Sequence, residues 1–215
     1  STAAVVVGGT GHDVATRPGS AVVGGSNNDI TGATSAAIVG TTDGIIGGTG
    51  ASSFAVVAGG QTHTIGSTTA SPHSGVFAGQ NSTINATHSV VIGGQTQAIS
   101  AGTHNSIVGG ASHIISGGGD QSLIAGGEDS TISSSGDRNV IIGSRHASIT
   151  GSATGSTIIS SGVTGATSSV ASSFSTIIGG ADHAIAADSD GSTIVGGLTC
   201  AIDGDLTNTI VGGTN

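Results

Sequence analysis

Eight histidines are the residues of this chain best equipped for chemistry, and four of them recur at one place in a pattern. His12, His63, His113 and His183 each stand three residues after a doublet that is usually Gly-Gly; Asn28, Gln97, Ser130 and Cys200 hold the same place elsewhere. Imidazoles at fixed spacing could ligate zinc, which needs several ligand atoms within about 2.1 Å of one ion. A column filled by His, Asn, Gln, Ser and Cys alike suits a different task, in which a polar side chain bonds the backbone of a turn. The spacing therefore predicts a polar ladder, with no metal site and no cofactor. His73, His88, His104 and His146 fall outside that column, and no common geometry is expected for them.

The acids are aspartates apart from Glu128. Asp188 with Asp190, and Asp203 with Asp205, each share a loop and could offer oxygen ligands to a weakly held calcium ion. Neither pair lies in a dense glycine–aspartate repeat, so solvated loop acids are expected. Two carboxylates on successive coils could hydrolyse a glycoside. Enzymes of that kind hold their substrates with aromatic residues, and this chain has 3 Phe and no Trp or Tyr. No Ser/His/Asp arrangement stands out from the serine background. No catalytic residue is assigned, and the chain is not expected to be an enzyme.

Charge and composition narrow the partners. The formal net charge is −9, and the only cations are the scattered Arg17, Arg138 and Arg145. No basic patch exists to neutralise phosphates, which excludes nucleic acid and disfavours an anionic bilayer. No apolar run approaches the roughly 20 residues of a membrane span, so no membrane insertion is expected. The single cysteine, Cys200, excludes an intramolecular disulfide and a cysteine zinc site.

The elements that would position these groups are repeats. Aligned on the second residue of the doublet, the chain gives Gly9, Gly25, Thr41, Gly60, Gln80, Gly94, Gly110, Gly127, Ser144, Ser161, Gly180, Gly197 and Gly213, at spacings of 14 to 20 residues. Three residues earlier stand Val6, Val22, Ile38, Val57, Phe77, Val91, Ile107, Ile124, Ile141, Ile158, Ile177, Ile194 and Ile210, a column that is large and apolar throughout. The next column reads Val7, Val23, Val39, Ile92, Val108, Ile142, Ile159, Ile178, Val195 and Val211, with Ala58, Ala78 and Ala125 between them. Ser or Asn usually precedes the pair, and a second β-branched residue usually lies five positions after the doublet, as in Ile30, Ile65 and Ile132. β-Branched side chains suit strands, and no segment carries a helical period.

One such unit buries almost nothing alone. Stacked units place equal columns above one another at about 4.8 Å, with hydrogen bonds running between coils. The pattern predicts an all-β parallel β-solenoid over residues 1–215, a single repeat domain of about thirteen coils. Adjacent strand residues point to opposite faces, so the first apolar column is expected in the core and the second outside. An outward apolar stripe of that length exceeds what a soluble monomer leaves bare. Self-association along it in a cyclic homo-oligomer would bury it; a bend at the glycine pair could instead bury both columns in one chain.

The units Ser89-Val90-Val91-Ile92-Gly93-Gly94, Asn139-Val140-Ile141-Ile142-Gly143 and Ser175-Thr176-Ile177-Ile178-Gly179-Gly180 resemble the S-V-A-I-G head repeats of trimeric autotransporter adhesins of the YadA-like, Hep/Hag type. They are also similar to G-G-x-x-N-x-[AI] repeats of surface proteins and of phage or viral fibres. The resemblance covers nearly the whole chain. It implies a left-handed β-roll, a homotrimer, and an extracellular adhesive or fibre role at a cell or virion surface, facing a host or matrix surface.

An ice-binding solenoid is the competing expectation, since Thr157, Thr176, Thr193 and Thr209 form a short file beside the apolar column. Earlier coils carry mostly Val or Ala there. Both ends fall on strand-like or mid-coil sequence, Ala3 to Val7 and Gly212-Gly213, with no capping segment and no initiator Met or signal peptide. The expectation is a piece of a longer chain or a subunit stacking head to tail.

Overall fold

A computed structural model describes residues 3–14, 18–47, 52–159, 162, 167–204 and 207–213. Among them there is no helix, and every strand pairing is parallel. The chain is a parallel β-solenoid whose turns each add one strand to two sheets. It divides into two compact units, Ser1–Gly109 and Gly110–Asn215.

In the N-terminal unit the first sheet runs Val5–Val7, Ala21–Val23, Ala37–Val39, Val56–Ala58, Gly75–Phe77, Val90–Ile92 and Ser106–Val108. The second runs Asp29–Ile30, Thr42–Ile46, Gln61–Ile65, Gln80–Ile84 and Ala98–Ile99. In the C-terminal unit the first sheet runs Leu123–Ala125, Val140–Ile142, Thr157–Ile159, Thr176–Ile178, Thr193–Val195 and Thr209–Val211. Its second sheet runs Ile114–Ile115, Thr131–Ile132, Ala147–Ile149, Ser168–Val170, Ala184–Ile185 and Ala201–Ile202. Among the described residues the first sheet has thirteen strands and the second eleven, so about eleven turns contribute to both sheets rather than thirteen.

Equal columns meet in register: Ile141 lies over Ile158, and Ile158 over Ile177. Val22, Ile38, Val57, Val91 and Ile107 in one unit, and Ile124, Ile141, Ile158, Ile177 and Ile194 in the other, are fully buried. The second sheet supplies a matching inward column, Ile30, Ile46, Ile65, Ile84 and Ile99, then Ile115, Ile132, Ile149, Val170 and Ile185. Each such side chain contributes about 1.5–3 kcal/mol by leaving water, which is how a fold almost without aromatic residues assembles a core.

Four sequence expectations are corrected here. Phe77 is outward and Val76 takes its core place, because Val57 pairs with Val76 and Ala58 with Phe77. Ala78 (φ 59°) occupies the first position of that doublet and Gly79 (φ 88°) the second, so Gln80 and Ala78 each move one column along. The local spacings become 19 and 15 residues. Val6 belongs to the core column by register but is 52% exposed, since its strand has a neighbour on one side only among the described residues. Ile210, on the last described strand, is half-buried for the same reason. Ser161, Arg17 and Asp205 lie outside the described residues.

Candidate functional site

Three surfaces of each turn hold groups that could act: the interior polar column, the outer face of the first sheet, and the corner ahead of that sheet.

The interior column is a hydrogen-bonded ladder. Asn28, His63, Gln97, His113, Ser130, His183 and Cys200 are all buried, and His12 is half-buried at the first described turn. Ring Nδ1 of His12, His63, His113 and His183 accepts the backbone N–H of Asn28, Ser82, Ser130 and Cys200, one turn on, at 3.2–3.3 Å. Asn28 extends the pattern, its Oδ1 accepting from Gly44 N–H at 2.8 Å while its Nδ2 donates to Thr41 O at 2.7 Å. Gln97 donates to the Gly109 carbonyl at 3.1 Å and Ser130 to the Ser144 carbonyl at 3.1 Å. Ser82 joins this column once the doublet at Gly79 is recognised. Burial is the main influence on His63, His113 and His183 and lowers their pKa below 6.5, with backbone hydrogen bonds opposing it. With Nδ1 as acceptor and the ring neutral, the proton sits on Nε2.

Ladder residue and doublet share one space. A Cβ on Gly60, Gly110 or Gly180, all at positive φ, would run into Nε2 of His63, His113 or His183 and into the carbonyl of the next turn. The exchange runs both ways. Where the second doublet position carries a side chain, at Thr41 and Ser144, the ladder position three residues on is Gly44 or Ala147. A Cβ on Gly44 would lie 3.0 Å from Thr41 Cγ2. A second ladder follows the residue that opens each first-sheet strand: Ser122 Oγ accepts from Asn139 N–H, Asn139 Oδ1 from Ser156 N–H, and Ser175 Oγ from Ser192 N–H, at 3.0–3.3 Å.

The outer face of the first sheet carries the second apolar column. Val7, Val23, Val39, Ile92 and Val108 in one unit, and Ile142, Ile178 and Val211 in the other, are exposed, whereas Ile159 and Val195 are half-buried. Phe77 stands in this column, 41% exposed. Beside it in the C-terminal unit, Thr157, Thr176, Thr193 and Thr209 pair in register.

The corner column contradicts the expectation that the remaining histidines share no geometry. Phe54, His73, His88 and His104, all exposed and all at φ between 52° and 60°, stack at ring-centroid distances of 5.1, 4.9 and 4.8 Å with planes within 12° of parallel. Their sequence spacings of 19, 15 and 16 match those of the corrected doublets. His146 belongs to another corner, its Nδ1 lying 3.6 Å from Asp129 Oδ2. Of the loop acids, Asp190 accepts from the Ser173 N–H at 2.7 Å, and Asp188 and Asp203 are exposed. Among the described residues no group of three His, Cys, Asp or Glu side chains is placed to hold a metal. No protein-family model matches the chain, and no curated protein is significantly similar to it.

Proposed function

We propose that the chain is a non-catalytic structural or adhesive β-solenoid, a left-handed homotrimeric adhesin-head or fibre subunit at a cell or virion surface, which packs on copies of itself along the outer face of the first sheet. The observation that carries this reading is the in-register column of exposed Val and Ile on that face, 39–46% exposed at Val23, Val39, Ile92, Val108, Ile142 and Ile178. Scattered apolar residues need no partner, but a continuous file of them does. A column repeating at the strand spacing is self-complementary under rotation, so copies can mesh without altering any turn. The interior chemistry supports a scaffold rather than a reaction, since the ladder histidines are committed to backbone hydrogen bonds. Sedimentation equilibrium on the purified chain tests the reading. A trimer mass supports it, and a monomer at every concentration overturns the self-association.

The Thr157, Thr176, Thr193 and Thr209 file favours a second reading, ice binding, because in-register hydroxyls on a regular sheet face present a repeating lattice to water. Thermal hysteresis from a monomer would replace the first reading with this one.

A further inference from the structure

Two of the chain's three phenylalanines and three of its eight histidines converge on one part of the N-terminal unit. Gly75 sits there between Val56 and Val90 of the neighbouring strands, the only glycine at that strand position among the described turns. The ring of Phe77 leans back across it; a Cβ on Gly75 would lie 2.7 Å from Phe77 Cε2. With no side chain at Gly75, the Phe77 ring lies back over the strand, and a notch of about 240 Å³ lies between that ring and the Phe54–His73–His88 stack.

We propose that this notch binds the ring of a neutral saccharide. It is too small for a folded segment or a drug-sized ligand, whose sites begin near 300 Å³, but it has room for one six-membered ring. No Asp, Glu, Lys or Arg lines it, so neither an ion nor a strongly charged group finds a counter-charge. The Phe77 ring, 41% exposed, offers an apolar platform for the C–H face of a pyranose, while the stacked rings, which cover one another's faces, present their edges. The exposed imidazoles of His73 and His88 offer ring nitrogens to its hydroxyls, donor or acceptor according to tautomer. The proposal supplies a ligand class for the adhesive reading and rests on it. Since the Phe77 ring leans toward the corner, the notch opens beside the apolar column rather than along it.

Saturation-transfer NMR with methyl β-galactopyranoside, methyl β-glucopyranoside and N-acetylglucosamine, backed by an array of neutral oligosaccharides, provides the test. Wild type is expected to bind at least one of these, with transfer strongest to the ring protons of one face. Phe77→Ala should weaken binding about tenfold or more, as expected for a central aromatic contact. Gly75→Val should do the same by pushing the Phe77 ring off the strand. Its backbone is ordinary strand, the ring it meets is a surface side chain free to swing away, and it copies Val56 and Val90, so folding should survive. No binding by wild type, or unchanged binding in both variants, overturns the proposal. The same samples in the ultracentrifuge separate the two readings. A trimer that binds no sugar defeats only the notch, and a monomer that binds sugar defeats only the self-association.

Discussion

Nδ1 of His113 accepts a hydrogen bond from the backbone N–H of Ser130, 3.2 Å away and one turn further along the solenoid. A ring that accepts at Nδ1 must be unprotonated there, so the ladder has a built-in acid limit. Burial holds His63, His113 and His183 below the 6.5 of a free imidazole. The unfolded chain therefore takes up protons that the folded chain refuses as pH drops below 6.5. The stability these residues confer should be complete above that value and decline as pH falls toward the folded pKa. Melting temperature measured from pH 7.5 to 5 should fall, and His113→Gln, which copies Gln97 in the same column, should flatten the slope. A flat profile in wild type would refute this account of the ladder.

The shared space between doublet and ladder predicts coupling. Gly180→Ser alone should destabilise by about 2–4 kcal/mol, combining an unfavourable φ with displacement of His183. Adding His183→Ala removes the ring that the new side chain meets, while the contact with the Gly197 carbonyl remains. The double variant should recover about 1 kcal/mol or more relative to the sum of the single changes. Additive denaturation energies would show that the two positions do not share the space.

Ile141 and Ile177 are fully buried between identical columns. Ile141→Asp or Ile177→Asp would place an unpaired carboxylate there, at a cost of several kcal/mol even after its pKa shifts. Each variant should melt far below wild type or fail to fold. Near-normal melting would mean the column is not core.

Ile142, Ile159, Ile178 and Val195 lie one residue on, facing outward. If the chain self-associates as proposed, replacing all four with Ser should abolish that association while the strand signal in circular dichroism persists. Loss of the strand signal together with the association would place these side chains in the chain's own interior.

The stacking order was legible because in-register strands force each turn to repeat the last. Ile141, Ile158 and Ile177 have to be alike, since each is the floor of the next. The register failed at one turn, where Ala78 holds a left-handed backbone usually given to glycine and Gly79-Gln80 imitates the Gly40-Thr41 and Gly143-Ser144 doublets. Size arbitrates in the structure: Val76 fits a column built for Val and Ile, and Phe77 would overpack it. That one-residue slip also hid the stack of His73, His88 and His104, whose spacing follows the same doublets. The ladder was recognisable from residue types alone. The exchange of volume between Thr41 and Gly44 was not, because only the folded turn brings a doublet and a residue three positions on into one space.

In-register repetition has an electrostatic consequence. A charge at any corner faces the same corner of the turns before and after it, about one strand spacing away, so a repeated charge would oppose itself along the whole column. Opposite or neutral neighbours avoid that repulsion, although Asp13 and Asp29 do pair in register on successive turns. Glu128 lies 2.9 Å from Arg145, Asp129 faces His146, and Asp43 accepts from Asn27. A chain in which only 7% of residues are charged keeps such repulsion small. Its net charge of −9 is therefore spread thinly along the turns, and solubility is set turn by turn.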